Sequence, residues 1–283
     1  MTTILDGKQT AKEVRARVKE GCAAFLERTG RAPGLAVVLV GDDPASAIYT
    51  RNKAKAAAKC GMYDVHHRLD AATPEAEVLD LVAQLNEDPG VDGILVQLPL
   101  PSHIDPDKII AAIAPEKDAD GFHPINVGRL WIGHAAPVAC TPLGITTILD
   151  RYEIDVKGMN AVIIGRSNIV GKPMAALLIR RHATVTICHS RTKDLAGVIR
   201  GADLVVAAIG RAKFVTADMV KEGAVVIDVG INRLEDGTLA GDVDFEPVAE
   251  RAGAITPVPG GVGPMTIATL LANVLELAEA RGA

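Results

Sequence analysis

The chain has 283 residues, 48% of them hydrophobic and 23% charged. That composition excludes a disordered polypeptide, and at roughly 150 residues per domain it gives room for about two domains whose cores need no disulfide or metal staple. Lys plus Arg number 30 and Asp plus Glu 35, a net charge of -5, and aromatic residues are 3%, a balance that argues against binding duplex nucleic acid through a basic surface or single strands through stacking.

In chain order, Asp6 to Arg28 reads as a helix, with Val14, Val18 and Phe25 near helical spacing. Residues 34–41 (GLAVVLVG) read as a buried strand. Residues 44–61 are rich in Ala and Lys and end in Gly, which suits a helix with a glycine stop. A strand at 63–69, a helix at 74–88 opening with Pro74, a strand at 92–101 cut off by prolines and a short helix at 105–113 complete a first α/β layer structure. The stretch from Lys117 to Pro142 contains Gly121, Gly128, Gly133, Pro124, Pro137 and the single Trp, and reads as a partly irregular connection between domains. A helix at 140–152 follows. Strands at 161–165, 184–190, 204–210 and 224–230 then alternate with helical stretches at 170–181, 193–201 and 216–223. This spacing describes a doubly wound parallel sheet. The final segment is a glycine loop followed by a long apolar helix, expected to pack back on the first domain.

Cys22, Cys60, Cys140 and Cys188 are scattered, without a C-x-x-C pair, so neither a zinc site nor a disulfide framework is indicated and free thiols in a reducing compartment are expected. The opening MTTILDGKQT lacks an apolar signal region, and the longest apolar runs are too short to span a bilayer, so a soluble cytoplasmic protein is expected.

Gly165-Arg-Ser-Asn-Ile-Val-Gly171 follows a strand and opens a helix, the context of a dinucleotide loop. Without its flanking strands the pattern would read as a tight strand–helix turn. Ser167 stands where G-x-G-x-x-G has its second glycine; its side chain holds the backbone further from a pyrophosphate, but its hydroxyl or N–H can donate to a phosphate at the helix N-terminus. A P-loop is excluded, because five residues separate the glycines instead of four and Pro173 follows Lys172 where Ser or Thr is needed. An NAD site carries a carboxylate at the end of its second strand. Here that strand ends His189-Ser190-Arg191, with no carboxylate until Asp194. Ser190, Arg191 and Arg166 suit a 2′-phosphate, which favours NADP over a merely solvated basic turn.

In the first domain Tyr49 and Lys53 are four apart and share a helix face. Lys55 and Lys59 nearby make a solvated charged face the plain reading of Lys53 alone. The Tyr-x-x-x-Lys pair precedes the glycine loop by more than a hundred residues, an order that excludes a short-chain dehydrogenase. Gln97 falls at a strand's C-terminal end, where open parallel sheets bind ligands; its plain reading is a side chain satisfying nearby backbone. Asp118 and Asp120 share a Gly-containing loop without further metal ligands. His66, His67, His123, His134 and His189 lack a spaced partner.

Six motifs stand in order: Tyr49-Thr-Arg-Asn-Lys53, Val96-Gln-Leu-Pro-Leu-Pro101, Lys117-Asp-Ala-Asp-Gly121, Gly165-Arg-Ser-Asn-Ile-Val-Gly-Lys-Pro173, Asp228-Val-Gly-Ile-Asn232 and Pro257-Val-Pro-Gly-Gly-Val-Gly-Pro-Met-Thr266. Together they resemble the bifunctional methylenetetrahydrofolate dehydrogenase/methenyltetrahydrofolate cyclohydrolase family over nearly the whole chain. The resemblance implies two α/β domains, the second a Rossmann-type doubly wound sheet, with the active site in an interdomain cleft. The implied division is 1–121 with 264–283 as the folate-binding catalytic domain and 122–263 as the NADP-binding domain. It implies hydride transfer from the folate's methylene bridge to NADP, then water attack on the methenyl carbon to give 10-formyltetrahydrofolate. Lys53 is implied as the proton-transfer group, held by Gln97, with Tyr49 packing on the folate and ordering the water and Asp120 binding the pterin. A lysine serves near neutral pH only where burial or a nearby cation favours its neutral form, and the methenyl cation supplies such a charge. Further folate contacts are implied for Val96, Leu98, Pro259, Gly260, Gly261, Val262 and Gly263, and cofactor contacts for Gly165, Arg166, Ser167, Ser190 and Ile231; Arg191 is added from the charge argument. A homodimer and no resident metal are also implied. The competing readings are a non-catalytic dinucleotide sensor, an ordinary NADP-dependent alcohol or acid dehydrogenase, and a single-activity member of the family.

Overall fold

The computed structural model describes residues 2–282. In chain order the elements are β1 (Thr3–Ile4), α1 (Gly7–Thr29), β2 (Gly34–Val40), α2 (Pro44–Cys60), β3 (Tyr63–Leu69), α3 (Glu75–Glu87), β4 (Gly93–Val96), α4 (Pro106–Ala112), α5 (Pro124–Trp131) and α6 (Cys140–Arg151). There follow β5 (Asn160–Ile164), α7 (Gly171–Arg180), β6 (Thr184–Cys188), α8 (Leu195–Arg200), β7 (Leu204–Ala207), β8 (Val225–Asp228), β9 (Asn232–Arg233), β10 (Leu239–Ala240), α9 (Phe245–Ala249), β11 (Ala254–Ile255) and α10 (Val262–Arg281). The chain forms two compact units. One joins the segment through Lys12 to Ala139–Thr266; the other joins Glu13–Val138 to the segment from Ile267 onward.

The second of these units is built on a three-stranded parallel sheet in the order β3-β2-β4. All seven residues of β2 are buried, as a central strand covered on both faces requires, whereas the edge strand β3 is half-exposed along its length. Val38, Val40, Ile94 and Val96 pack with Val78, Val82 and Leu85 of α3 and Ile109 of α4. Asp92, fully buried, accepts both guanidinium nitrogens of Arg31 and the Gly34 N–H, a bidentate pair that closes the base of the sheet.

The first unit is built on a six-stranded parallel sheet in the order β1-β11-β8-β7-β5-β6. The chain runs from β5 outward to β6, then returns to the other side of β5 for β7 and β8, so the winding direction switches between β5 and β7. The smaller sheet switches in the same way between β2 and β4. Crevices at the strands' C-terminal ends at such points are where open α/β sheets hold ligands.

The structure departs from the sequence expectations in several places. The compact units differ from the expected 1–121 with 264–283 and 122–263. Residues 2–5 go with the six-stranded sheet because β1 pairs with β11, Thr3 opposite Ala254. Residues 122–138 stay with the smaller sheet because Asn126 donates to Asp118 and the Pro115 carbonyl, and Asn273 donates to the Val138 carbonyl. Within the expected irregular connection lies α5, opened by Pro124 and capped by His123, whose Nδ1 accepts the Ile125 N–H. The expected helix at 216–223 is a single 3₁₀ turn at Ala217–Met219; Val215 and Val220 are both buried anchors and leave only one turn between them. The strands expected to reach 101, 190, 210 and 230 stop at Val96, Cys188, Ala207 and Asp228, and the residues beyond form the loops that carry the candidate site groups.

Candidate active site

Helix α2 starts at Pro44 with the Asp43 carboxylate accepting the Ser46 N–H at 2.7 Å, and ends at Gly61 in the left-handed conformation. Its buried stripe is Ser46, Thr50, Lys53, Ala57 and Cys60, a spacing of four and three residues. Lys53 therefore occupies a core-facing position, with only 6% of its surface exposed, while Lys55 and Lys59 point outward. Its Nζ donates to Gln97 Oε1 at 3.0 Å. Gln97 follows β4, at the switch point of the smaller sheet; its N–H donates to the Val38 carbonyl at 2.8 Å and its Nε2 to the Leu98 carbonyl at 2.6 Å. The amide is thereby oriented with its oxygen toward the lysine. Tyr49, one turn before Lys53, is 39% exposed. Val96 is buried, and the Leu98–Pro99 peptide is cis.

The loop bearing Asp120 is built around Asp118. The buried Asp118 carboxylate accepts the N–H groups of Gly121, Phe122 and His123 and the side-chain amide of Asn126. Lys117 donates its ammonium to the carbonyls of Leu85 and Asp88, and burial pushes it below the usual lysine value. The Ala119 carbonyl accepts from Asn273 of α10. Asp118 is thus committed to three backbone donors and the Asn126 amide, and Asp120 remains partly accessible beside it.

In the other unit Gly165 follows β5 with φ +122°, and a Cβ there would lie 2.2 Å from the Ala208 carbonyl oxygen. A Cβ on Gly171 would lie 2.2 Å from the carbonyl oxygen of Gly165. The turn therefore closes only with glycine at both ends. Ser167 Oγ accepts the N–H groups of Val170 and Gly171 at 3.1 and 3.4 Å, capping α7, and keeps its own proton to donate. Arg166, Ser190 and Arg191 are exposed beyond β5 and β6, whose last residues Ile164 and Cys188 are paired neighbours. Asp194, the first carboxylate after β6, caps α8 through the Gly197 N–H. The turn from His189 to Lys193 thus presents hydroxyl, guanidinium and ammonium groups. A glycine cradle against a helix N-terminus, flanked by cationic side chains and no ribose-binding carboxylate, fits a dinucleotide with a 2′-phosphate.

The proline–glycine loop lies in the same unit. The Val258–Pro259 peptide is cis, the Gly261 N–H donates to the Pro257 carbonyl, and the Gly260 carbonyl accepts the Lys8 N–H at 3.0 Å. A Cβ on Gly7 would fall 1.7 Å from the Gly261 oxygen, so the start of α1 rests directly on this loop. Val262 opens α10, and Ile231, half exposed, sits with its Cδ1 3.3 Å from where a Gly263 Cβ would be.

Two family models divide the chain between them. That of the tetrahydrofolate dehydrogenase/cyclohydrolase catalytic domain matches residues 5–120, and that of the NAD(P)-binding domain matches residues 139–282. The chain belongs to the tetrahydrofolate dehydrogenase/cyclohydrolase family. The bifunctional protein FolD of Moorella thermoacetica is 61% identical over 276 residues, covering 98% of both chains. That of Campylobacter curvus is 59% identical over 98% of this chain and 96% of its own. Among solved structures, the bifunctional FolD of Campylobacter jejuni superimposes with a TM-score of 0.97 at 51% identity, covering 99% of this chain and 100% of that one. The methylenetetrahydrofolate dehydrogenase-cyclohydrolase of Trypanosoma brucei, solved with NADP and an inhibitor, gives 0.94 at 39% identity, covering 99% and 98%.

Several groups escaped the sequence reading. Gly7 was hidden inside an expected helix start; its signal was the Asp-Gly pair ahead of the first apolar stripe. Asn126 and Asn273 are buried amides within helices, where asparagine has no propensity reason to be. Asp242, between Gly241 and Val243, carried no motif.

Proposed function

We propose that the chain performs both reactions of its family in sequence: NADP-dependent oxidation of methylenetetrahydrofolate to methenyltetrahydrofolate, and hydrolysis of that product to 10-formyltetrahydrofolate. It is an oxidoreductase and a hydrolase in one polypeptide. The observation that carries the hydrolase half is the hydrogen bond from buried Lys53 to Gln97. NADP, when bound, accepts the hydride. The glycine cradle at Gly165 and Gly171 holds its pyrophosphate, Ser167 donates to it, and Arg166, Ser190 and Arg191 neutralise the 2′-phosphate. Ile231 and the loop Pro259–Gly263 cover the cofactor and the folate ring.

The first reaction needs placement more than proton transfer. Asp120 binds the amino-pyrimidine edge of the pterin and Tyr49 packs on its ring, with Val96 and Leu98 lining the folate. In the second, a water adds to the methenyl carbon and loses a proton to the Lys53 amine. The lysine returns that proton to the ring nitrogen, the carbon–nitrogen bond breaks, and the remaining hydroxyl proton passes to solvent as the formyl C=O forms. The orientation of Gln97 by the backbone of Val38 and Leu98 supports its role in holding that amine. The free, buried cysteines support a reducing, cytoplasmic setting. A homodimer is expected from the family resemblance and is checked by sedimentation.

The test is a paired spectroscopic assay with methylenetetrahydrofolate and either NADP or NAD, following reduced cofactor and methenyl together. Reduction with NADP and no matching accumulation of methenyl is expected. In Lys53→Ala the cyclohydrolase rate falls by about 100-fold or more, the range for losing a general acid–base group, while NADP binding persists. An unchanged cyclohydrolase rate in that variant would sink the assignment of Lys53, and wild-type protein that catalyses neither reaction would favour a dinucleotide sensor.

A further inference from the structure

The six-stranded sheet buries a carboxylate that the mechanism above does not use. Asp242 is completely inaccessible, and among the described residues its hydrogen-bond partners are all N–H groups, with no ion pair. Oδ2 accepts from the backbone of Ile209 at 2.7 Å and Gly210 at 3.0 Å. Oδ1 accepts from the backbone of Arg211 at 2.8 Å and from Asn232 Nδ2 at 2.9 Å. Three successive amides of one turn and the side chain of another loop therefore converge on a single group. The Asp242 N–H in turn donates to Asp228, the last residue of β8, which also accepts from Gly230 and Val243. The packing leaves no slack: a Cβ on Gly230 would fall 2.1 Å from Asp242 Oδ1, and one on Gly241 would fall 1.7 Å from Asp228 Oδ2.

Both fastened segments border the proposed cofactor site. The Ile209 turn follows β7 directly beside the glycine cradle, since the Ala208 oxygen and the Ile209 side chain are what a Gly165 Cβ would meet. Asn232 follows Ile231, whose side chain reaches Gly263 of the proline–glycine loop. One buried carboxylate thus ties the wall at the β5/β7 switch point to the segment bearing Ile231.

We propose that Asp242 is a positioning residue for the dinucleotide: it sets the separation of the Ile209–Arg211 turn from the Ile231 segment, and with it the width of the cofactor site. This rests on the reading that this unit binds NADP. Asparagine is not an equivalent at this position. Each carboxylate oxygen accepts two N–H groups, so whichever oxygen is exchanged for NH₂, two donors face a donor and the turn must move.

The test compares wild-type and Asp242→Asn protein by calorimetric titration with NADP and by steady-state kinetics. The expected result is a Kd and KM for NADP raised about tenfold or more, from the unpaired buried donors. The folate KM and the rate of methenyltetrahydrofolate hydrolysis without cofactor change less than about threefold. If Asp242→Asn does not fold, Asn232→Ala replaces it; that change removes only the side-chain donor and is expected to raise the NADP Kd about threefold. NADP affinity within error of wild type in the variant that folds overturns the proposal. So does an equal loss of NADP binding and cofactor-free hydrolysis, which would mark a general structural role. Wild-type protein that does not bind NADP would instead overturn the parent reading.

Discussion

Lys53 and Asp228 are both ionisable groups placed inside the protein, and they are held in opposite ways. Lys53 takes a core position on α2, where its ammonium meets a neutral amide rather than a carboxylate. Asp228 lies at a strand end, 2% exposed, and burial, with Asp242 adding to it, pushes its carboxyl up to about 6. Because the folded value exceeds the unfolded one, the folded state binds the extra proton. This group's contribution to stability is present at low pH and is lost as pH rises through about 6. The stability of wild type relative to Asp228→Asn is therefore expected to grow by about 1 kcal/mol between pH 7 and pH 5 in denaturant unfolding. A difference that shrinks or stays flat over that interval would contradict the assignment. The contact between Lys53 and Gln97 was legible only through the family resemblance, since spacing alone left Lys53 on a solvated charged face. The cluster around Asp242 was not: its four donors come from residues 10 to 33 positions away and are joined only by folding.

At the scale of elements, hydrophobic patterning read the strands well because parallel strands buried on both faces are continuous apolar runs. It overran their ends, since apolar residues such as Ile209 and Ile231 continue into the loops that form the site. Helix α5 was obscured by Gly121, Gly128 and Gly133, although its Pro124 start was visible. The glycine cradle is a strict local requirement. Gly165→Ala places a methyl group 2.2 Å from the Ala208 oxygen at a φ that side chains rarely adopt. A loss of about 1–3 kcal/mol in unfolding free energy is expected from strain at such a position. NADP affinity is expected to fall by more than tenfold in titration, because the turn must open. Retention of wild-type affinity would mean that the cradle is not where the pyrophosphate sits.

For the molecule as a whole, the cofactor preference can be read as a stability difference. A ligand that binds only the folded protein adds about 2.7 kcal/mol at a concentration 100 times its Kd. NADP at that level is expected to raise the unfolding midpoint by several degrees, and the same concentration of NAD by clearly less. Equal shifts would remove the argument from Ser190, Arg191 and Arg166. The overall architecture was legible as alternating elements, whereas the pairing of the first residues with the six-stranded sheet was not. Residues 2–5 form too short a segment to announce a strand, and their place is fixed by partners such as the Gly253 and Ile255 carbonyls, which accept from Thr3 and Leu5.

That pairing has a consequence for biosynthesis. A ribosome adding 5–20 residues per second reaches β11 only about 12–50 s after it has made β1. The unit of the smaller sheet likewise waits for the Ile267 segment, which is made after β11. The six-stranded sheet therefore cannot close until β11 has been made, and until then β1 lacks the strand it pairs with.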